Sequence, residues 1–427
     1  MPKPKFTTVR GVHDSLPESF YTWRHIENVA RKMFSLFNYE EINIPIFEQT
    51  SLFQRGIGTE TDIVSKEMYT FDDKGGDSIT LRPEATASIC RAYVQHALYN
   101  KQKLNKLFFI GPMFRYERPQ SGRLRQFHQI DAEAIGSKDP AIDAEMIIML
   151  MNFLKSLGLK DLRLQMNNLG DLESRKNYSK ALETFLLDKG NSLDSEIKDR
   201  IKKNPFRFLD SKNPQHQELI QLAPTNEGFL GNDSLEHMES VKNYLDSSNI
   251  PFTYNKRLVR GLDYYCLTVF EITSENLGAQ NAVCGGGRYD KLVEELGGPE
   301  TPAIGFAIGI ERLLQLVSES TIEESSHSKN PEIYIISLGK EPMSLSFKIS
   351  NQLRESGIRT ELSFDGGSMK NQMKKANRSS AKYTLIIGED ELTSNSAILR
   401  NMNDSSQETI KLDEVGSIVK EKILNQS

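Results

Sequence analysis

The chain has 427 residues, 26% charged and 38% hydrophobic, with a formal net charge of -5. That length exceeds one ordinary domain, and no run of about 18 apolar residues could cross a bilayer, so a helical membrane span is excluded. A mildly acidic chain does not advertise a nucleic-acid binder, and any such contact must come from local basic patches. The N-terminus lacks the apolar core of a signal peptide, and Cys90, Cys266 and Cys284 have no CxxC spacing. A reducing, cytoplasmic location is therefore expected, without a disulfide framework or a Cys-rich zinc site.

After Pro17, residues Trp23, Ile26, Val29, Ala30, Met33, Phe34 and Phe37 recur at helical spacing and predict an amphipathic helix. Residues 41–47 look strand-like, with Pro45 at an edge or a break. A hairpin is expected from residues 69–71 and 79–81 around Gly75-Gly76. Pro83 then ends a strand and opens a helix at Glu84, where free backbone N–H groups favour a carboxylate.

The apolar run 107–110 predicts a strand that breaks at Gly111-Pro112 and leads into a charged loop holding Arg115, Glu117, Arg118, Arg123 and Arg125. No packed core absorbs such a loop unpaired, so it binds or does chemistry, and a fork of arginines suits a polyphosphate. From Gln126 the residues alternate. Phe127, Gln129, Asp131 and Glu133 fall on one face, and His128, Ile130, Ala132 and Ala134 on the other.

Residues 139–157 read as a helix buried nearly all round, residues 162–167 as a strand, and residues 171–247 as a polar, interrupted helical insertion. Arg260, followed by glycine and two tyrosines, reads as a strand end. Gly285-Gly286-Gly287 reads as a tight turn or a close backbone approach. A small-residue strand runs into a helix over residues 303–314, and residues 318–330 form a polar linker. A βαβαβ order follows, whose second helix carries Lys370, Lys374 and Arg378.

Phe114-Arg115-Tyr116-Glu117 followed by Arg125-Gln126-Phe127 resembles the second motif of class II aminoacyl-tRNA synthetases. The helix, strand and Pro45 resemble the first motif, and residues 303–314 the third. Two further segments, Leu258-Val259-Arg260-Gly261-Leu262-Asp263-Tyr264-Tyr265 and Val283-Cys284-Gly285-Gly286-Gly287-Arg288-Tyr289-Asp290, resemble those of histidyl-tRNA synthetases.

The resemblance implies an α+β fold: a class II antiparallel sheet with flanking helices over residues 1–320, interrupted by the insertion at about 171–247, and an α/β anticodon-binding domain over 331–427. It implies activation of L-histidine with ATP and Mg²⁺, transfer of histidine to the 3′ end of tRNA(His), and a homodimer. Arg115 and Arg260 would act at the α-phosphate. Glu84, Thr86, Arg115, Gln129, Glu133, Arg260, Tyr264, Tyr265 and Tyr289 would hold histidine. Glu133 would accept the ring N–H and Tyr264 would meet the other nitrogen. Arg115, Glu117, Arg123, Phe127 and Arg312 would hold ATP, Arg118 and Gln120 would meet tRNA, and no protein-held metal is expected. The alternative is the regulatory subunit of ATP phosphoribosyltransferase, a paralogue that generally lacks the C-terminal domain and several of these residues.

Overall fold

A computed structural model describes residues 5–58, 61–119, 123–190, 193–211, 213–277, 282–317 and 330–424. The chain divides into two compact units after residue 322. Among the described residues no helix is long and apolar enough to cross a membrane.

The first unit contains β1 (Glu40–Glu41), β2 (Phe47–Gln49), β3 (Tyr69–Asp72), β4 (Ser78–Leu81), β5 (Asn105–Phe114), β6 (Gln126–Ile135), β7 (Leu162–Asn168), β8 (Phe252–Tyr254), β9 (Cys266–Ser274), β10 (Ala282–Arg288) and β11 (Ala303–Gly309). Eight of them form one sheet, ordered β1-β5-β6-β11-β10-β9-β7-β8. The ladders β5-β6, β6-β11, β11-β10, β10-β9 and β9-β7 are antiparallel, and only the edge pairs β1-β5 and β7-β8 are parallel. A separate small sheet is ordered β2-β4-β3.

One face of the large sheet is covered by helices, of which two build the core over β6. Helix Pro17–Leu36 opens on a proline whose missing N–H is one the first turn leaves unpaired anyway. It buries Trp23, Ile26, Ala30 and Phe34. The Phe34 ring meets Phe108, Phe153 and Phe306 at 5.3, 5.5 and 5.9 Å. Helix Pro140–Ser156 is capped by the Asp139 carboxylate, which accepts from the Ala141 N–H at 2.9 Å. Ile147, Leu150, Met151, Phe153 and Leu154 of that helix are buried in the same core as Ile130, Ala132 and Ala134 of β6. The opposite face of β6 is thereby left for the site.

The structure departs from the sequence reading in several places. Strand β5 does not break at Gly111-Pro112; Pro112 pairs with His128 in the ladder. The Pro112 carbonyl accepts from Arg82 Nε at 2.8 Å, and the Phe114 N–H donates to the Arg82 carbonyl at 3.0 Å. The N–H that proline lacks therefore belongs to the side facing away from β6, and the ladder loses nothing. The helix expected from Glu84 begins at Thr86. Arg260 lies in an irregular loop ahead of β9 and does not end a strand; the three glycines make no turn but lie inside β10, where the expected close backbone approach is found, a Cβ on Gly286 falling 2.1 Å from the Gly305 carbonyl oxygen. Within the insertion, helices Leu172–Lys189, Ser195–Lys203, Phe206–Leu209 and Pro214–Leu222 enclose their own apolar cluster. The last helix of that stretch, Asn232–Ser247, packs Met238, Val241 and Leu245 into the main core.

The second unit is a five-stranded sheet, β12 (Ile333–Ser337), β13 (Thr360–Leu362), β14 (Tyr383–Ile387), β15 (Ser396–Asn401) and β16 (Gln407–Lys411), ordered β13-β12-β14-β15-β16. The first three strands are parallel, as the βαβαβ order requires, and β15 and β16 add an antiparallel hairpin that the sequence reading did not anticipate.

Candidate active site

A cleft of about 360 Å³ opens over the exposed face of β6, β11, β10 and β9. Of the residues singled out in the sequence, Glu84, Thr86, Arg115, Glu117, Arg123, Phe127, Gln129, Arg260, Tyr264, Tyr265, Tyr289 and Arg312 line it. Two described ones do not: Glu133 is buried behind its wall, and Arg118 is exposed outside it. Gln120 lies outside the described residues.

One region of the cleft is cationic. Arg115 Nε donates to the Pro83 carbonyl at 2.8 Å, and its guanidinium lies 5.2 Å from the centroid of the Phe127 ring. Glu117 is flanked by Arg123 at 3.3 Å and Arg115 at 3.9 Å. Arg125, further along the same loop, is tied down by stacking, only 3.8 Å over the Tyr116 ring. Arg312 donates to the Ala282 carbonyl, and burial followed by the proximity of Arg123 lowers its pKa. Three guanidinium groups with one carboxylate between them make a seat for an anion.

The other region is carboxylic and aromatic. Glu84 accepts from the backbone N–H groups of Thr86 and Ala87 at 2.8 and 2.9 Å, so it caps helix Thr86–Gln95 besides lining the cleft. Burial pushes its carboxyl up. The Thr86 hydroxyl donates to Glu133 Oε1 at 2.7 Å, and the Tyr289 hydroxyl donates to Oε2. Burial raises the Glu133 carboxyl to about 8 in spite of these two donors. Gly305, opposite Glu133 across the β6-β11 ladder, is required there: a Cβ would lie 1.6 Å from Oε2. Tyr264 packs against Tyr265 and Tyr289 with ring centroids 4.7 and 5.5 Å away.

Other cleft residues are given no role by the sequence reading, which places Asp131 on the polar face of its strand and goes no further. Asp131 is 1% exposed, and burial, then the charges of Glu133 and Glu84, hold its carboxyl well above the usual range. Its Oδ2 and the Gln129 Oε1 are buried acceptors without a partner among the described residues. Glu271 of β9 bonds Arg260 at 2.7 Å, and Glu311 accepts from the His128 backbone N–H at 3.0 Å and lies 3.1 Å from its Nδ1. That bond, with the Trp23 ring set almost perpendicular at 4.6 Å between centroids, accounts for the one polar residue on the apolar face of β6. The signal for Asp131 and Glu271 was a charge in the middle of a strand that otherwise reads as buried.

A second cavity of about 430 Å³ lies between residues 62–66 and the insertion. Lys66, Arg200, Lys203 and Arg207 line it, with Asp62 as the one carboxylate among the described residues of its wall, and Phe208 stacks on His216 at 4.8 Å. Arg207 also donates to the Gly261 carbonyl at 3.3 Å, tying the insertion to the loop that carries Arg260.

Residues 11–313 match the family model of histidyl-tRNA synthetase, and residues 332–422 match that of the anticodon binding domain. A histidine–tRNA ligase from Halothermothrix orenii is 48% identical over 94% of this chain and 96% of its own length. One from Thermodesulfovibrio yellowstonii is 46% identical over 98% of this chain and 99% of its own. The crystal structure of apo histidyl-tRNA synthetase from S. aureus superposes with a TM-score of 0.82 at 39% identity, covering 97% of this chain and all of that one.

Proposed function

Because the chain belongs to the histidyl-tRNA synthetase family and acts as a histidine–tRNA ligase, we propose that the cleft on β6 carries out both steps of that reaction. In the first, the histidine carboxylate attacks the α-phosphorus of ATP in line, the bond to the β-phosphate breaks, and pyrophosphate leaves. In the second, a hydroxyl of the terminal tRNA ribose attacks the carbonyl of histidyl-adenylate and AMP leaves. Neither step needs a covalent enzyme intermediate. Cys266 and Cys284 suit none, since burial holds both thiols up, that of Cys266 at about 12.

Catalysis is then positioning and charge stabilisation. Arg115 and Arg260 act at the α-phosphate, Arg123 and Arg312 at the remaining phosphates, Phe127 stacks on adenine, and Glu117 meets its amino group. Mg²⁺ would accompany ATP and would neutralise phosphate charge; held mainly by the phosphates and its own waters, it would find further oxygens in Glu67 and Glu311 on the cleft wall.

Glu84, Thr86 and Gln129 orient the α-amino group, among tyrosines 264, 265 and 289. The ring nitrogens are read by Tyr264 and Glu133. Alone in its buried setting this carboxyl holds its proton, and the arriving ring N–H favours the ionised form, whose roughly four acceptor positions take the two hydroxyls and still leave room for the ring donor. The observation that carries this reading is the meeting, in one cleft, of the arginines of the β5-β6 loop with Arg260 and the tyrosine-lined carboxylates.

The basic second cavity supports a role for the insertion beside the tRNA acceptor end, with Arg118 and Gln120 meeting the 5′ nucleotide. The second unit reads the anticodon and the protein works as a cytoplasmic homodimer, whose contact includes the exposed apolar side chains of Ile46 and Phe47. Regulation without ligation is disfavoured by the match of residues 332–422 to the anticodon-binding family and by retention of Arg115, Glu117, Arg260 and Arg312. Replacing Arg115 or Arg260 by alanine is expected to slow ATP–pyrophosphate exchange by ~10²-fold or more. Wild-type exchange in either variant removes that residue from the site.

A further inference from the structure

We propose that Glu271 is a positioning residue for adenylation, acting through Arg260. The proposal rests on the reading of Arg260 as a ligand of the α-phosphate. The loop carrying Arg260 has no regular structure, so its backbone alone does not aim a long side chain with many rotamers. Two features of the neighbouring strands do. Gly285 and Glu271 face each other across the β9-β10 ladder. A Cβ built on Gly285 would lie 2.5 Å from Cζ, Nη1 and Nη2 of Arg260 alike, so the guanidinium rests across the bare glycine backbone. Glu271 Oε2 then accepts from Nη1 at 2.7 Å.

The floor confines the plane of the fork, and the carboxylate fixes its rotation within that plane. Both side chains line the cleft and are 22% exposed, so the pair sits in the wall where a ligand can reach the N–H groups that Glu271 does not take. A fork held in advance spends nothing on reorganisation when the phosphate becomes five-coordinate. The negative charge also offsets the crowding of cations in the cleft, where Arg312 feels Arg123, Arg115 and, in the opposite sense, Glu271.

The test is ATP–pyrophosphate exchange by the full chain at saturating histidine and ATP. Glu271→Ala is expected to lower kcat roughly tenfold or more, with both KM values within about threefold, because the fault lies in orientation and not in ground-state binding. Glu271→Gln, which keeps an acceptor for Nη1, recovers most of that loss. The decisive arm is the double-mutant cycle: in an Arg260→Ala background, Glu271→Ala costs nothing further. Wild-type kcat in Glu271→Ala, or a loss equally large without Arg260, overturns the proposal. Should the alanine variant fail to fold, the same cycle with Glu271→Gln decides it, since its smaller loss must likewise vanish without Arg260. Full exchange in Arg260→Ala alone refutes the underlying reading and the proposal with it. A loss in Arg260→Ala to which Glu271→Ala adds independently refutes the proposal only.

Discussion

Glu133 shows how far residue-level inference reaches. Period-two alternation places it on the same face as Phe127 and Gln129, and the ladder agrees. Alternation gives a face but not a depth. Helix Thr86–Gln95 and Tyr289 close over the inner end of β6, so the carboxyl ends up wholly buried and bonded to two hydroxyls. Glu133→Ala is expected to raise the KM for histidine far more than that for ATP and to weaken discrimination against ring analogues without an N–H donor, as measured in exchange assays, because a buried polar wall is left unpaired when the donor is absent. The same burial makes stability depend on pH. A carboxyl raised to about 8 in the folded chain stabilises the fold below the ordinary carboxylate pKa and loses that contribution as pH climbs through about 8. Denaturant unfolding at pH 5 and pH 8.5 is expected to show Glu133→Gln gaining on the parent chain at the higher pH, by about 1.4 kcal/mol for every pH unit between the lower measurement and the pKa of the raised carboxyl. An unchanged difference between the two pH values would refute the raised carboxyl.

At the scale of elements, the motif loop, the arginine fork and the small-residue strand were legible because each is a local pattern. What was not legible depends on pairings between distant strands. Glu271 becomes meaningful only once β9 lies beside β10, and Pro112 escapes its usual role as a strand breaker only because the ladder lies on its other side. The same holds for Arg288, wholly buried at the end of β10. It bonds Asp143 at 2.5 Å, which also meets His237 at 2.8 Å, and it lies 3.3 Å from Asp290. This network anchors β10 to helices Pro140–Ser156 and Asn232–Ser247, next to Tyr289 of the cleft. Removing one partner of a buried pair strands the other charge, so Arg288→Met is expected to cost about 3–5 kcal/mol in denaturant unfolding. Arg288→Met/Asp143→Leu is expected to recover part of it. Full stability of the single variant would contradict the arrangement.

At the scale of the whole molecule, every residue assigned to adenylation belongs to the first unit, which has its own core, and the second unit has its own as well. A chain ending at about residue 319 is therefore expected to keep ATP–pyrophosphate exchange and to lose most tRNA charging, measured with the same tRNA preparation. Equal charging by both lengths would remove the anticodon-reading role from the second unit. The antiparallel sheet was readable from three motifs in order, whereas hairpin β15-β16 was not, because its strands lack the apolar runs that mark β12 and β14. The central claim is that the cleft on β6 activates histidine. The most direct measurement is ATP–pyrophosphate exchange by the full chain with each of the twenty amino acids in turn, without tRNA. Exchange with histidine alone, dependent on Mg²⁺, is the predicted result. Exchange with a different amino acid, with none, or only after tRNA is added would contradict it.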